Sequence, residues 1–300
     1  MNRALIVEFS KMDGAGNDFV VLDNRFYAFT PAELSALATR LCRRRTSIGA
    51  DGLVALCPPE EPDHRFRMRY CNADGSLGTM CGNGARCIVG FAIDAGLGAD
   101  PIVFGSDAGI VYARETGLDA GAGARDIEIT LRDPKDFRTD RIPLPSIDGL
   151  EAAAFVNTGT EHVVYRVRGD LASVPVEQLG RAIRRDAGLA PAGANVNFVQ
   201  FAGGDQRGPV AHVRTYEKGV EAETLACGTG AAAVAWCGAE LGWWGNGSVS
   251  IRMPGGTLRI GVARDGPNGS RITLAGPART AFRGTIEIRP DDLAPASSAT

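Results

Sequence analysis

Alternating apolar and polar residues predict β-strands in both halves of the chain. In the segments 65–70 and 126–131 every second residue is apolar, which is typical of a strand with one buried face. Short apolar runs between turn-forming residues predict further strands. They lie at residues 4–9, 19–23, 53–57, 102–104, 109–114, 153–157, 162–167, 197–201 and 210–216, with more from Val249 onward.

A capping box predicts where the first helix begins. Thr30 is the predicted N-cap, Pro31 takes the first helical position, and Glu33 lies three residues after the cap. A second helix is predicted near residues 176–187, where the second half repeats this order of elements. The pattern therefore predicts a mixed α/β chain with an internal repeat of topology.

The same motif, Cys-Gly-x-Gly-Ala, opens one more predicted helix in each half. It begins at Cys81, in CGNGARC, and again at Cys227, in CGTGAAA, and the first of these helices is predicted to run to about Ala95. A helix N-terminus presents free N–H groups and partial positive charge, so a thiol there loses its proton more easily. The repeat predicts a duplicated fold whose halves face each other across a cleft.

Two such turns can bind one anion and act on it from two sides. Helix N-termini bind carboxylates through their free N–H groups. The groups expected to do so here belong to Gly82, Asn83, Gly228 and Thr229. If the carboxylate belongs to an amino acid, its α-carbon would lie between the two sulfur atoms. One thiolate could then take the α-proton while the opposite thiol supplies another, which inverts the stereocentre without a cofactor.

Composition and charge narrow the class of protein. The 300 residues are 44% hydrophobic and 22% charged, as in a soluble globular protein long enough for two domains. The formal net charge of −3 argues against nucleic acid or an anionic membrane as the main partner. The apolar run 4–7 is too short for a signal peptide, and no stretch approaches the ~18 apolar residues of a membrane span. We therefore expect a cytoplasmic protein.

The remaining cysteines, histidines and lysines do not indicate a disulfide, metal or pyridoxal site. Seven cysteines, an odd number without a C-x-x-C pair, favour reduced thiols. Their spacing and that of the three histidines do not resemble a zinc ligand pattern. A pyridoxal enzyme needs a Schiff-base lysine. The three lysines, Lys11, Lys135 and Lys218, are no better candidates than the two cysteines. We expect neither a metal nor a cofactor.

Six blocks of the sequence resemble the diaminopimelate epimerase family. In chain order they are KMDGAGNDFVVLDN (11–24), IGADGLV (48–54), NADGSLGTMCGNGARC (72–87), HVV (162–164), NVNFV (195–199) and RTYEKGVEAETLACGTGAAA (214–233). The resemblance implies an α/β (α+β) fold of two pseudo-symmetric halves, each a β-sheet wrapped around a central helix. It also implies a two-base reaction, independent of pyridoxal and metals, that interconverts L,L- and meso-diaminopimelate on the route to lysine and peptidoglycan.

The resemblance also implies roles for particular residues. Cys81 and Cys227 would be the acid–base pair. Glu217 would bind the substrate's ammonium, and both Glu217 and His162 would tune the cysteines. The residues implied around the substrate are Asn17, Asn72, Gly82, Asn83, Thr160, Asn195, Lys218, Gly228 and Thr229.

Four positions depart from the family pattern. Lys218 replaces an arginine that grips the substrate's distal carboxylate, and lysine keeps the charge but loses the two-pronged geometry. Glu161 takes the place of the usual proline, and Thr160 that of a frequent asparagine. Gly52 replaces a side-chain amide found in some members. Because all four lie at or near the distal end of the implied substrate, the reaction is better supported than the choice of substrate.

The proline-containing segment 132–149 is the best candidate for a crossing between two domains. We predict an N-terminal half of residues 1–133 with 277–300, which carries Cys81, and a C-terminal half of residues 134–276, which carries Cys227. The expected partner is a small-molecule amino acid substrate. Family members often dimerise, so a homodimer is implied.

Other functions remain as alternatives. A racemase of another amino acid could use the same scaffold, since Glu161 could face a cationic or imidazole side chain. The stretch GTGAAA (228–233) fits a dinucleotide-binding fingerprint. That signal is weak, because no convincing parallel-strand unit is predicted around it. A redox role for the two thiols is the third alternative.

Overall fold

The chain divides into two units in its computed structural model, which describes residues 4–121, 123–143, 149–205, 208–245, 247–266 and 269–293. The first unit is Met1–Ile129 with Gly276–Thr300, and the second is Thr130–Ala275. The first unit is therefore built from both ends of the chain, and the second from its middle.

Strands and helices of the first unit follow each other in a βαβ order. Its strands are β1 (Leu5–Gly14), β2 (Asn17–Asp23), β3 (Gly52–Cys57), β4 (Phe66–Asn72), β5 (Leu77–Gly78), β6 (Ile102–Ser106), β7 (Gly109–Glu115) and β8 (Arg125–Thr130). Its α-helices are α1 (Asn24–Tyr27), α2 (Pro31–Leu41) and α3 (Gly82–Asp94).

The second unit has a similar order. Its strands are β9 (Lys135–Arg138), β10 (Leu150–Asn157), β11 (Glu161–Val167), β12 (Asn195–Asp205), β13 (Gly208–Glu217), β14 (Ala222–Thr224), β15 (Gly247–Met253) and β16 (Gly256–Gly266). Its α-helices are α4 (Val176–Arg184) and α5 (Gly228–Glu240). One further strand, β17 (Gly269–Ile288), pairs with β16 over residues 271–275 and with β1 over residues 279–288.

The two units repeat the same strand pairings. In the first, β2 and β3 are parallel, β3 and β4 antiparallel, and β4 and β6 parallel. In the second, β11, β12, β13 and β15 pair in the same three ways. Helices α2 and α4 fall within the first parallel connection of each unit, and α3 and α5 within the second. This finding corrects one sequence-based expectation, because α5 does lie in a parallel-strand unit.

Helix α2 begins where its capping box predicts. The Thr30 hydroxyl accepts a hydrogen bond from the backbone N–H of Glu33 at 3.3 Å, and the Glu33 carboxylate accepts one from the backbone N–H of Thr30 at 2.7 Å. Leu34, Leu37 and Leu41 are buried in one hydrophobic core with strand residues of the same unit. The capping box therefore fixes the start of a helix whose apolar face packs on the sheet.

The two helices that follow the cysteines are the most deeply buried. Every residue of α5 from Gly230 to Ala239 is buried, and α3 is buried almost throughout its length. Helix α3 contacts β1, β2, β3, β4 and β7, and α5 contacts β10, β11, β12, β15 and β16. A helix that is apolar on all sides belongs in the interior. Each unit thus wraps its strands around one central helix, which holds that helix N-terminus in place.

Several boundaries differ from the sequence-based prediction. Helix α4 ends at Arg184, because Asp186 caps a separate 3-10 turn over Ala187–Leu189. The short elements α1, β5, β9 and β14 were not predicted, since two to four residues carry too little periodicity. Among the described residues, no helix is long and apolar enough to span a membrane.

Replacing Thr30 with alanine is expected to lower the free energy of unfolding by about 1 kcal/mol, because the exposed hydroxyl caps α2. Urea unfolding followed by circular dichroism measures the loss. Thr30→Ser keeps the capping oxygen and is the control, so equal stability of the two variants would contradict the role of the cap.

Candidate active site

Cys81 is the N-cap residue of α3. Its backbone is extended, with φ −137° and ψ 115°, and its sulfur accepts a hydrogen bond from the backbone N–H of Gly84 at 3.5 Å. The half-buried sulfur also lies 3.8 Å from Oδ1 of Asn17. Because the first helical N–H groups have no intrahelical acceptor, the thiol takes the place of a serine or aspartate cap.

Asn17 and Asn83 are held beside Cys81 by a chain of hydrogen bonds. Nδ2 of Asn83 donates to Oδ1 of Asn17 at 3.2 Å, and Nδ2 of Asn17 donates to the carboxylate of Asp51 at 2.6 Å. The structure therefore brings together three residues that the sequence proposed for the site, and it adds Asp51. Asp51 lies in the block IGADGLV but was not singled out from the sequence.

Arg86 is a buried cation under the first turn of α3. Its side chain has no exposed surface, and it donates to Oδ1 of Asn83 at 2.9 Å and to the carbonyl of Gly82 at 3.1 Å. It pairs with no carboxylate of the described residues. Burial lowers the pKa of Arg86, whereas negative charge on Cys87 or Cys81 would raise it. The sequence signal for this residue was an arginine on an otherwise apolar helix.

Asn72 lies at the end of β4 and is oriented by Tyr70. The Tyr70 hydroxyl donates to Oδ1 of Asn72 at 2.8 Å, and Nδ2 of Asn72 donates to the Ser76 hydroxyl at 2.9 Å. A Cβ atom on Gly52 would lie 2.7 Å from the Tyr70 ring. Glycine at position 52 therefore makes room for the tyrosine, which gives a packing reason for the missing side-chain amide.

Cys227 repeats the geometry of Cys81 at the N-cap of α5. Its φ is −126° and its ψ 104°, and its sulfur accepts from the backbone N–H of Gly230 at 3.4 Å. The hydroxyl of Thr229 lies 3.5 Å from the same sulfur. Only 7% of Cys227 is exposed, so its thiol is more deeply buried than that of Cys81.

Glu217 faces the Cys227 thiol from the end of β13. Its carboxylate accepts a hydrogen bond from Thr224 at 2.7 Å. Burial raises the pKa of Glu217, while its interactions with Thr224 and Cys227 lower it. Burial likewise raises the pKa of Cys227 well above its usual value, and the charge of Glu217 raises it further.

The raised pKa of Cys227 corrects a sequence-based expectation. The helix N-terminus was expected to make both thiols more acidic. Hydrogen bonds from Thr229 and from the N–H of Gly230 do lower the pKa of Cys227, but burial and Glu217 outweigh them. Cys227 is therefore a neutral thiol in this structure.

His162 is neutral and fully buried. Its Nδ1 lies 3.2 Å from Nδ2 of Asn197, and its Nε2 has no partner among the described residues. Burial lowers the pKa of His162 to about 3, and the nearby charge of Lys218 lowers it further. The imidazole therefore acts as an uncharged group at neutral pH. Asn197 was not predicted as a site residue, although it lies in the block NVNFV.

Thr160, Asn195 and Lys218 come together around Glu161. The ammonium of Lys218 lies 2.5 Å from Oε2 of Glu161, and the Thr160 hydroxyl donates to the same oxygen at 3.2 Å. Oδ1 of Asn195 accepts from the backbone N–H of Lys218 at 2.8 Å. Nδ2 of Asn195 donates to the carbonyl of Glu161 at 3.2 Å. Three of the residues implied around the substrate thus form one hydrogen-bonded cluster with Glu161.

No metal site accompanies these residues in the part of the chain that the structure describes. No group of three or more His, Cys, Asp or Glu side chains is placed to hold an ion. The described site places thiols and a carboxylate, which are acid–base groups, at or beside helix N-termini.

A family model for diaminopimelate epimerase matches residues 9–119 and 154–281, which include both cysteine turns. The chain belongs to the diaminopimelate epimerase family. A diaminopimelate epimerase of Chlorobaculum tepidum is 40% identical over 283 residues, covering 92% of this chain and 100% of that protein. One from Aquifex aeolicus is 39% identical over 236 residues, covering 76% and 80%.

Solved structures outside these close relatives share the fold. A PhzF-family phenazine biosynthesis protein of Bacillus anthracis has a TM-score of 0.72 at 16% identity, covering 94% of this chain and 99% of its own. A hydroxyproline epimerase of Agrobacterium vitis, solved with trans-4-hydroxy-L-proline, has a TM-score of 0.64 at 15% identity, covering 98% and 96%. The pseudo-symmetric α/β fold expected for the diaminopimelate epimerase family is thus confirmed.

Gly230→Ala is expected to destabilise the protein by about 1–3 kcal/mol, because it overpacks the site. Its Cβ atom would lie 2.5 Å from Oδ1 of the buried Asn197 and 3.2 Å from the Cys227 sulfur. The equivalent change Gly84→Ala is the control, since a Cβ atom at position 84 would lie no closer than 3.2 Å to its nearest neighbour, the side chain of Val54. Urea unfolding compares the two. If Gly84→Ala proves as damaging as Gly230→Ala, the contact with Asn197 is not the cause.

Glu217→Gln is expected to lower the pKa of Cys227 and to speed its alkylation, because a neutral amide no longer opposes the thiolate charge. The measurement is the rate of iodoacetamide modification of the Cys227 peptide between pH 7 and 10, by mass spectrometry. Glu240→Gln, at the far end of α5, is the matched control. An unchanged pH midpoint in Glu217→Gln would show that Glu217 does not hold Cys227 protonated.

Proposed function

We propose that this protein is a pyridoxal-independent isomerase that interconverts L,L- and meso-diaminopimelate by a two-cysteine, two-base mechanism. Membership of the diaminopimelate epimerase family supports the activity. The observation that carries the mechanism is the pair of thiols, Cys81 and Cys227, each at the N-cap of a buried helix in its own unit.

The reaction needs an anion site next to each thiol. Positions N1 and N2 of a helix have no intrahelical hydrogen-bond acceptor. Those positions are Gly82 and Asn83 in α3, and Gly228 and Thr229 in α5. Their N–H groups are proposed to bind the α-carboxylate of the substrate, and partial positive charge there stabilises the carbanion that forms beside it.

The two thiols then divide the proton transfer. One thiolate removes the α-proton, and the other thiol donates a proton to the opposite face of the same carbon. Because Cys227 is a neutral thiol beside Glu217, it is proposed as the acid in one direction and Cys81 as the base. Glu217 is also proposed to bind the substrate's α-ammonium. His162 stays neutral and contributes a ring nitrogen without a charge.

The remaining proposed contacts lie away from the reacting carbon. Asn17 and Asn72 are proposed as amide contacts of the first unit, where each is already oriented by a neighbour. Thr160, Asn195 and Lys218 are proposed to receive the distal end of the substrate. A cytoplasmic location, where thiols stay reduced, suits this chemistry. A homodimer is proposed from the family resemblance.

One observation keeps a second candidate in view. Lys218 is already paired with Glu161, so the positive charge available to a distal carboxylate is partly neutralised. A racemase of an amino acid with a cationic or imidazole side chain would make use of Glu161 instead. Incubating the protein in D₂O with diaminopimelate or a panel of L-amino acids, and measuring deuterium at the α-carbon, decides between these substrates. Exchange confined to another amino acid would overturn the diaminopimelate proposal.

Cys81→Ser and Cys227→Ser are each expected to lower epimerase turnover roughly 10²- to 10⁴-fold, because a hydroxyl is far less acidic than a thiol. Circular dichroism is expected to show an unchanged fold. Cys57→Ser, at a half-buried thiol outside the site, is the control and should retain full turnover. Wild-type turnover in either of the first two variants would exclude the two-thiol mechanism.

A further inference from the structure

The ion pair of Glu161 and Lys218 is preorganised. Nζ of Lys218 lies 2.5 Å from Oε2 of Glu161, and the two side chains are 28% and 23% exposed. Asn195, of which 5% is exposed, binds the backbone N–H of Lys218 and the carbonyl of Glu161 with one side chain. A single buried amide therefore fixes both segments that carry the charges, so the pair is more than a chance meeting of flexible side chains.

The pair borders the Cys227 site. Lys218 directly follows Glu217, whose charge raises the pKa of the Cys227 thiol. Glu161 directly precedes His162, whose pKa responds to the charges of both Glu161 and Lys218. The loop before Glu161 is tied to the first turn of α5, because the Thr158 hydroxyl donates to the carbonyl of Thr229 at 2.8 Å. The segments that carry the pair are therefore linked to the Cys227 turn, and the far end of a ligand held at that turn is proposed to reach them.

The charges of Glu161 and Lys218 determine which distal group of a ligand can bind beside them. A carboxylate alone would be attracted by Lys218 and repelled by the Glu161 carboxylate at its side. An ammonium alone would be attracted by the Glu161 carboxylate and repelled by the Lys218 ammonium. A group that carries both charges satisfies the two residues together, since the lysine ammonium keeps donors beyond the one used by Glu161.

We infer that Glu161 and Lys218 form a subsite for a zwitterionic distal group, in which Lys218 binds its carboxylate and Glu161 binds its ammonium. The inference rests on the proposed function, because the distal end of diaminopimelate is such a zwitterion. It makes Glu161 a specificity-determining residue of this chain. The competing interpretation is that Glu161 only holds Lys218 in position.

Two substrates can show whether Glu161 binds the distal ammonium or only holds Lys218 in position. L,L-diaminopimelate carries both distal charges, whereas L-2-aminopimelate has the same distal carboxylate but a hydrogen in place of the distal ammonium. The probe is deuterium uptake at the α-carbon in D₂O, measured as kcat/KM for each compound with the wild-type protein and with Glu161→Gln. Glu240→Gln is the matched control, since it removes a carboxylate from an ion pair with Arg264 at the other end of α5.

The expected result is a selective loss. Glu161→Gln should lower kcat/KM for diaminopimelate roughly tenfold to hundredfold, the range for losing a hydrogen bond to a charged group. It should leave aminopimelate within about twofold, and Glu240→Gln should change neither value. Equal losses on both compounds, or no loss on either, would overturn the inference and leave the proposed function standing. Failure of the wild-type protein to act on diaminopimelate would overturn the proposed function and this inference with it.

Discussion

Both cysteine sites depend on one constraint, which is that the first N–H groups of a buried helix need an acceptor. In α3 and α5 the N-cap sulfur satisfies the N–H three residues on and leaves the preceding two for a ligand. Strands wrapped around each helix keep its N-terminus fixed. The same contact therefore positions the thiol beside the N–H groups that are proposed to bind an anion.

The two units build opposite electrostatics on the same scaffold. Counting from each cysteine, Arg86 of the first unit corresponds to Ala232 of the second, so the helix of Cys81 carries a buried cation where the helix of Cys227 has alanine. At the end of the equivalent strands β4 and β13, Asn72 corresponds to Glu217. Pseudo-symmetry supplies two thiols in equivalent positions, and their charged neighbours differ. A two-base reaction needs such a difference, because one group must be an acid while the other is a base.

Local features were predicted well from the sequence, and long-range effects were not. The Thr30 cap and the starts of α3 and α5 are encoded by a few adjacent residues, so short sequence motifs were sufficient to predict them. The acidity of Cys227 was predicted with the wrong sign, because burial and Glu217 act through the tertiary structure. Asp51 was missed because its partner Asn17 comes from another segment, and Arg86 because its burial depends on the strands packed around α3. The proposed roles of the site residues remain predictions.

The strand β17 has a consequence for how the protein is made on the ribosome. Residues 271–275 complete the second unit through β16, and only then do residues 279–288 supply the partner of β1. Strand β1 thus leaves the ribosome long before the residues that pair with it are synthesised. Vectorial synthesis favours folding of the second unit first, while β1 keeps an unpaired edge that is open to aggregation until β17 has been synthesised.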